Sequence, residues 1–339
     1  MSQELPVFPG CQAGPPTQES LSAAFGFRMP SAFADFVKTA YDHSGKNPAA
    51  LFQLFDELFG FWAGGGGTHG YQQTPPELFT FGATGGDGEH YGYVIYAPEL
   101  AEPDWPVGFL NPMMDNGVLI VGAGTREFFS MLLQAAASES DEPATRRQAE
   151  DLLKATGLSD GKWYEPHGWW FWYMAVDVPP ERRVAPPVPD GWSYLPSADG
   201  IGVLAPAGLF APEKPMGIGY NVDYAECLQA AEQAMRSGHP ATALYILRQA
   251  YWNLWSKEPA FESLSLAMID AYQALARPLL AESTRRRYER FRQGGSIEED
   301  VRRSVQLLEL ERWNQRAPLR RTRLWELVAA LFRRYRNPR

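Results

Sequence analysis

The stretch Leu78-Phe79-Thr80-Phe81-Gly82-Ala83-Thr84-Gly85-Gly86-Asp87-Gly88-Glu89-His90-Tyr91-Gly92-Tyr93-Val94-Ile95-Tyr96 decides the fold. Two runs rich in aromatic and β-branched residues flank a glycine-rich turn, the pattern of a β-hairpin with a loop longer than the two-residue minimum. Short apolar runs follow at Val107-Gly108-Phe109-Leu110 and Val118-Leu119-Ile120-Val121, and helical periodicity begins near Thr125. A small antiparallel sheet closed by a helix is the expectation. Asp87, Glu89 and His90 meet on the turn, and a carboxylate beside a histidine can do acid-base work. With no nucleophile beside them they read as solvated turn residues, and any role they have is recognition of Arg or Lys on a partner.

Working outward toward the N-terminus, residues 1–27 read as an irregular leader with Pro15-Pro16 as a stiff spacer. A helix is expected from Met29-Pro30-Ser31, with Phe33, Phe36, Val37, Ala40 and Tyr41 at three- and four-residue intervals and a stop at His43-Ser44-Gly45. A second opens at Asn47-Pro48, an N-cap followed by proline, and ends at Gly60. The run Gly64-Gly65-Gly66-Gly67 lacks the following Lys and Ser/Thr of a phosphate-binding loop and reads as a flexible loop. Gly122-Ala123-Gly124 superficially begins a dinucleotide fingerprint, but Glu127 stands where the third glycine belongs and a carboxylate there would repel a pyrophosphate. The simpler reading makes Thr125 the cap and Glu127 a first-turn carboxylate, with Phe128, Phe129, Leu132 and Leu133 packed on the sheet.

The order of a Pro-initiated helix with Phe33 and Phe36, a second helix, Phe79-Thr80-Phe81-Gly82, an acidic glycine turn, an aromatic strand, Pro106-Val107-Gly108-Phe109 and a helix with Glu127-Phe128-Phe129 resembles the SMI1/KNR4 (SUKH) superfamily over about residues 28–137. Phe81-Gly82, the Gly85 to Gly88 turn and Phe128 carry the likeness, while the long segment from Phe52 to Gly67 departs from it, since a strand is expected soon after the second helix. The resemblance implies a non-enzymatic, protein-binding α+β domain. In bacteria such domains often serve as immunity proteins against secreted toxins, and in fungi they regulate cell-wall synthesis.

Beyond that domain, Thr145 to Ala155 is expected to be helical, stopped by Gly157. The segment Trp169-Trp170-Phe171-Trp172-Tyr173 could stack bases, but no Arg or Lys interleaves it, and it reads as a buried strand extending the main sheet or lying at a domain seam. Prolines at 179–180, 186–187 and 189 form an extended linker, and Trp192 to Phe210 suggests one more hairpin. From Tyr224 helices dominate. Ala225 to Gly238 and Ala241 to Trp255 form a pair joined by Gly238-His239-Pro240, with Ala231, Ala243 and Ala250 at small-residue positions that resemble a tetratricopeptide (TPR) unit; a second pair spans Glu262 to Arg292. An ordinary helical bundle is the competing reading. Apolar stripes at Ile297 to Glu311 and Arg320 to Tyr335 suggest two further helices. The expected organisation is therefore a leader (1–27), an SMI1/KNR4-like domain (28–138), an aromatic and Pro-rich connector (139–220) and an all-α, TPR-like helical-hairpin domain (221–339).

Charge is unevenly distributed along the 339 residues: 4 Lys and Arg against 14 Asp and Glu in 1–138, 10 against 18 in 139–276, and 17 against 8 in 277–339. An acidic body with a basic end suits capture of a basic protein, plausibly a toxin domain. The candidate partner-binding residues are Asp87, Glu89, His90, Tyr91 and Trp105. The rival class is a nucleic-acid-associated regulator acting through the Arg-rich end, opposed by the interspersed carboxylates and the net −18 of the rest. His43, His69, His90, His167 and His239 are scattered without metal-ligand spacing, Cys11 and Cys227 have no partner spacing, and no nucleophile elbow occurs. No catalytic residue, metal or cofactor is therefore nominated. The absence of a signal-peptide pattern and of any long apolar run leads to the expectation of a cytoplasmic protein.

Overall fold

The computed structural model describes residues 7–64, 70–84, 89–100, 104–111, 117–158, 185–213, 215, 222–254 and 259–292. Most of the four-glycine run, the turn 85–88, the aromatic segment 163–176, the prolines at 179–180 and the helices expected after 296 lie outside the described residues.

The order is α1 (Gln18–Phe25), α2 (Ser31–His43), α3 (Pro48–Phe59), β1 (Trp62–Ala63), β2 (Leu78–Ala83), β3 (His90–Val94), β4 (Val107–Leu110), β5 (Leu119–Gly122), α4 (Thr125–Glu139), α5 (Pro143–Thr156), β6 (Trp192–Leu195), β7 (Val203–Pro206), α6 (Tyr224–Arg236), α7 (Pro240–Trp252), α8 (Ala260–Ala274) and α9 (Pro278–Arg292). Strands β1 to β5 form one antiparallel sheet in sequence order, and β6 and β7 form a second, two-stranded sheet. The protein is a mixed α+β structure. Helices α2 and α3 begin and end where capping chemistry places them: Asn47 Oδ1 accepts from the N–H groups of Ala49 and Ala50, and Gly60 closes α3 at φ +68°.

Three local features differ from expectation. The leader is not irregular throughout, because Thr17 and Ser20 form a capping box that starts α1, and Phe8, Cys11, Leu21 and Phe25 are buried. These four apolar anchors, spread over residues 8 to 25, are too few for a periodicity signal but sufficient once a core exists to receive them. After α3 the chain immediately forms the two-residue strand β1, with Trp62 opposite Ala83 and Ala63 opposite Gly82, so the first sheet edge is filled despite the glycines that follow. Thr125 is the first residue of α4 rather than its cap. Its N–H and hydroxyl both donate to the Asp104 carboxylate, at 2.9 and 2.8 Å, so a side chain from twenty-one residues upstream satisfies this helix end. Tyr93 completes the chain by donating to Thr125 Oγ1 at 2.7 Å. Glu127 does occupy the first turn, accepting from the Ala123 N–H at 2.5 Å.

Alternation along the strands separates two cores. Phe79, Phe81, Tyr91, Tyr93, Val107 and Phe109 join Phe33, Phe36, Phe55, Phe128 and Phe129 under the N-terminal helices, with Phe36 and Phe129 stacked at 4.0 Å. Phe79 and Phe81 share that core by simple alternation, and a register shift between Thr80 and Gly82 brings Gly82 opposite Tyr91. On the other face Leu78, Val94, Leu110 and Val118 pack with Ile201 and Leu204 of the second hairpin and with Trp252 of α7. The paired glycines Gly92 and Gly108 lie on this second face, where a Cβ on Gly108 would come within 2.7 Å of Val94 and Val118. Both faces of the sheet are thus covered, which is why β2 to β4 are buried almost without interruption.

Candidate functional site

The sequence-derived candidates do not converge. Asp87 lies outside the described residues. Glu89 is half-buried at the end of the hairpin, where its Oε1 accepts from Asn111 Nδ2 and its Oε2 from Thr84 Oγ1, both at 3.1 Å. Its backbone carbonyl also accepts from Thr84 N–H, so this carboxylate is held in place across the turn. His90 is 4% exposed, with Nε2 3.2 Å from Thr74 Oγ1 and its ring stacked toward Tyr71. Tyr91 is 3% exposed among Phe61, Phe109 and Phe128. Burial, reinforced by the charge of Glu89, pushes its hydroxyl well above the ordinary range. His90 and Tyr91 therefore serve the interior, and only the Glu89 end of the strand approaches solvent.

Trp105 is half-buried at the opposite end of the sheet. The pairing places Tyr93 against Val107, and the Val94 N–H donates to the Pro106 carbonyl. Six strand residues separate that level from Glu89, roughly 20 Å at the usual rise. Trp105 lines a shallow apolar depression with Tyr96, Leu100, Pro186, Pro187 and Leu204. Among the described residues that line it, none is Glu89, His90 or Tyr91.

The most concentrated polar chemistry sits elsewhere, in the seam where the C-terminal helices meet the sheet domain. Arg248, in the centre of a helix buried at every position, donates through Nε and Nη2 to Asp199 Oδ2 at 2.8 and 2.5 Å, and through Nη1 to Glu77 Oε1 at 2.8 Å and the Gly202 carbonyl at 2.5 Å. Tyr272 of α8 donates to the same Glu77 oxygen at 2.7 Å. Asp199 is fixed in a tight turn, its Oδ1 accepting from Ser197 Oγ and the Ile201 N–H, and the Ala198 N–H donates to Gln249 Oε1. Burial raises the Glu77 carboxyl above its usual range, partly opposed by Arg248 and pushed further by Asp199. Arg248 stays charged: burial works against its charge, yet Asp199 and Glu77 more than reverse the effect. A second anchor repeats the pattern, with Arg277 Nε and Nη2 on Glu99 Oε1 at 3.0 and 2.8 Å and Nη2 also on the Leu204 carbonyl.

None of Glu77, Asp199, Arg248 or Arg277 stood out in the sequence. One signal was present: an arginine inside Leu244-Tyr245-Ile246-Leu247-Arg248-Gln249-Ala250-Tyr251-Trp252 needs a carboxylate if that helix is buried on all sides. The network is sealed from solvent, so what it does is fix the position of the helices against the sheet. Among the described residues no group of three or more His, Cys, Asp and Glu comes together as a metal site would require. No described helix is long and apolar enough to cross a membrane. No protein-family model matches the chain, and no curated protein matches it.

Proposed function

We propose that this chain is a non-enzymatic protein-binding protein, an SMI1/KNR4-like α+β domain followed by TPR-like helical hairpins, that captures a basic protein ligand such as a toxin domain in the manner of a bacterial immunity protein. The observation that carries this reading is the charge of residues 1–138, 14 Asp and Glu against 4 Lys and Arg, joined to a hairpin whose Glu89 is held by Asn111 and Thr84. A carboxylate fixed before encounter pairs with Arg or Lys at little further entropic cost, and the surrounding acidic field accelerates capture. The TPR-like reading draws support from Ala231, Ala243 and Ala250, all buried where neighbouring helices approach. The nucleic-acid alternative is weakened by Arg277 and Arg287, which are each 1% exposed and so are not available to phosphates of a bound polymer.

The test is capture of protein partners from the native host at low and high salt, followed by titration with Asp87→Lys and Glu89→Gln variants. The second variant keeps an oxygen for one hydrogen bond while removing the charge. Salt-sensitive micromolar binding, weakened by both variants at unchanged melting temperature, is the expected outcome. No partner in either salt condition, or capture indifferent to both variants, refutes the proposal.

A further inference from the structure

The run Ala185-Pro186-Pro187-Val188-Pro189 places three prolines in five positions. Each proline ring fixes its own φ at about −65°, and each also pushes the residue before it, here Ala185, Pro186 and Val188, out of the helical region. Covalent geometry therefore biases the whole run towards the polyproline II conformation, and little entropy is lost when a surface receives it. Among the described residues, Ala185 to Val188 make no hydrogen bond, and the first backbone tie is the Trp192 N–H to the Pro189 carbonyl at 3.0 Å.

Pro186 is nevertheless buried, while Ala185, Pro187 and Val188 on either side of it are exposed. Pro186 and Pro187 line the apolar depression together with Trp105 and Pro106 ahead of β4, Tyr96 just past β3 and Leu204 of β7. Every side chain lining it is uncharged. The carboxylates adjoining in sequence are turned to other tasks, Glu99 receiving Arg277 and Asp104 receiving Thr125. Aromatic rings lining an uncharged groove are what proteins use to recognise proline-rich segments. Groove and proline segment are here two parts of one chain, joined by packing alone.

We infer that the Trp105 depression is a recognition groove for a proline-rich segment of a partner protein, and that Pro186-Pro187 fills it as an autoinhibitory strap. The partner takes the room these two prolines occupy, rather than the small space left beside them. The strap is the part that yields, because no hydrogen bond holds Ala185 to Val188. A tethered strap stands at an effective concentration on the order of millimolar, so a free segment competes at a disadvantage until the strap is loosened. The groove lies at the opposite end of the sheet from Glu89 and carries no charge, so it acts independently of capture by the acidic hairpin.

The experiment titrates the full chain by calorimetry with a synthetic peptide of residues 185–191, and with the same peptide carrying alanine at its three prolines. The double variant Pro186→Ser, Pro187→Ser loosens the strap and is expected to bind the proline peptide about tenfold or more tighter than the unaltered chain, and the alanine peptide at least about tenfold more weakly than the proline peptide. Pro187→Ser alone, at an exposed position, gives a smaller gain in the same direction should the double variant fail to fold. Trp105→Leu added to either strap variant is expected to weaken binding about tenfold or more at a folded melting profile. High salt is expected to leave the affinity unchanged, which separates this groove from the salt-sensitive capture proposed for Glu89. No peptide binding by a folded strap variant, equal affinity with and without the strap substitutions, equal binding of the two peptides, or binding that survives Trp105→Leu overturns the inference.

Discussion

Replacing Arg248 with methionine tests how the two halves of the molecule are joined. The side chain makes four hydrogen bonds, to Asp199 twice, Glu77 and the Gly202 carbonyl, at 2.5 to 2.8 Å and 2% exposure. At about 1.5 kcal/mol for each bond to a charged group the gross contribution is about 6 kcal/mol, from which the cost of drying the guanidinium must be subtracted. Methionine fills most of the volume but leaves Asp199 and Glu77 buried without a cationic partner, held only by Ser197, Ile201 and Tyr272, so a net loss of about 3–5 kcal/mol is expected. Urea unfolding followed by tryptophan fluorescence suits the question, because Trp252 lies one turn further along α7 and packs in the same seam. The triple variant Arg248→Met, Glu77→Gln, Asp199→Asn removes all three charges and is expected to recover about half of the loss, since a neutral replacement of a whole buried group is far milder than removal of one partner. A single-variant loss below about 1 kcal/mol, or strict additivity among the three substitutions, would refute the claim that this group is a coupled buried network.

Further outcomes follow from the same geometry. Glu77 has a folded-state pKa above its ordinary value of 4.5, so its contribution is fully stabilising below that value and is lost as pH rises through the raised one; Glu77→Gln is expected to flatten this segment of the stability profile, measured by denaturant unfolding at stepped pH. An alanine Cβ at Gly92 would stand 2.7 Å from the Phe79 carbonyl oxygen, which the β2–β3 ladder holds in place, so Gly92→Ala should cost about 1–3 kcal/mol by thermal melting. Gly208→Ala meets nothing within 4 Å and should stay within about 0.5 kcal/mol, which makes it the matched control. Asp104→Ala removes both acceptors at the start of α4 and should cost about 1–2 kcal/mol, whereas Thr125→Ser keeps the hydroxyl and should cost less in the same melt.

Local chemistry was legible in the sequence because it is spoken in neighbouring residues. The Asn47-Pro48 start and Gly60 stop of α3, the hairpin between Leu78 and Val94, the second hairpin after Trp192 and the helix pair around Gly238-His239-Pro240 each depend on contacts within a few positions. Capping by Asp104 escaped that reading because its partner is twenty-one residues away. The same limit applied to the candidate site. Alternation along His90-Tyr91-Gly92-Tyr93 places successive side chains on opposite faces, but a sheet with one wet face and a sheet covered on both share that pattern when the strands are aromatic throughout.

By itself the sequence determined, among the described residues, the element types apart from α1 and β1, most of their ends, the antiparallel hairpins, and the split between an acidic body and a basic end, all of which are set by periodicity, capping and composition. Only the tertiary structure decided that the second face of the sheet is closed by Ile201, Leu204 and Trp252, that His90 and Tyr91 turn inward, and that Arg248 and Arg277 find carboxylates 49 and 178 residues away. The physical reason is that a buried charge has no local signature: an arginine on a helix is an ordinary solvated residue until packing removes the water, and then its stability depends on a partner that no sequence neighbour supplies.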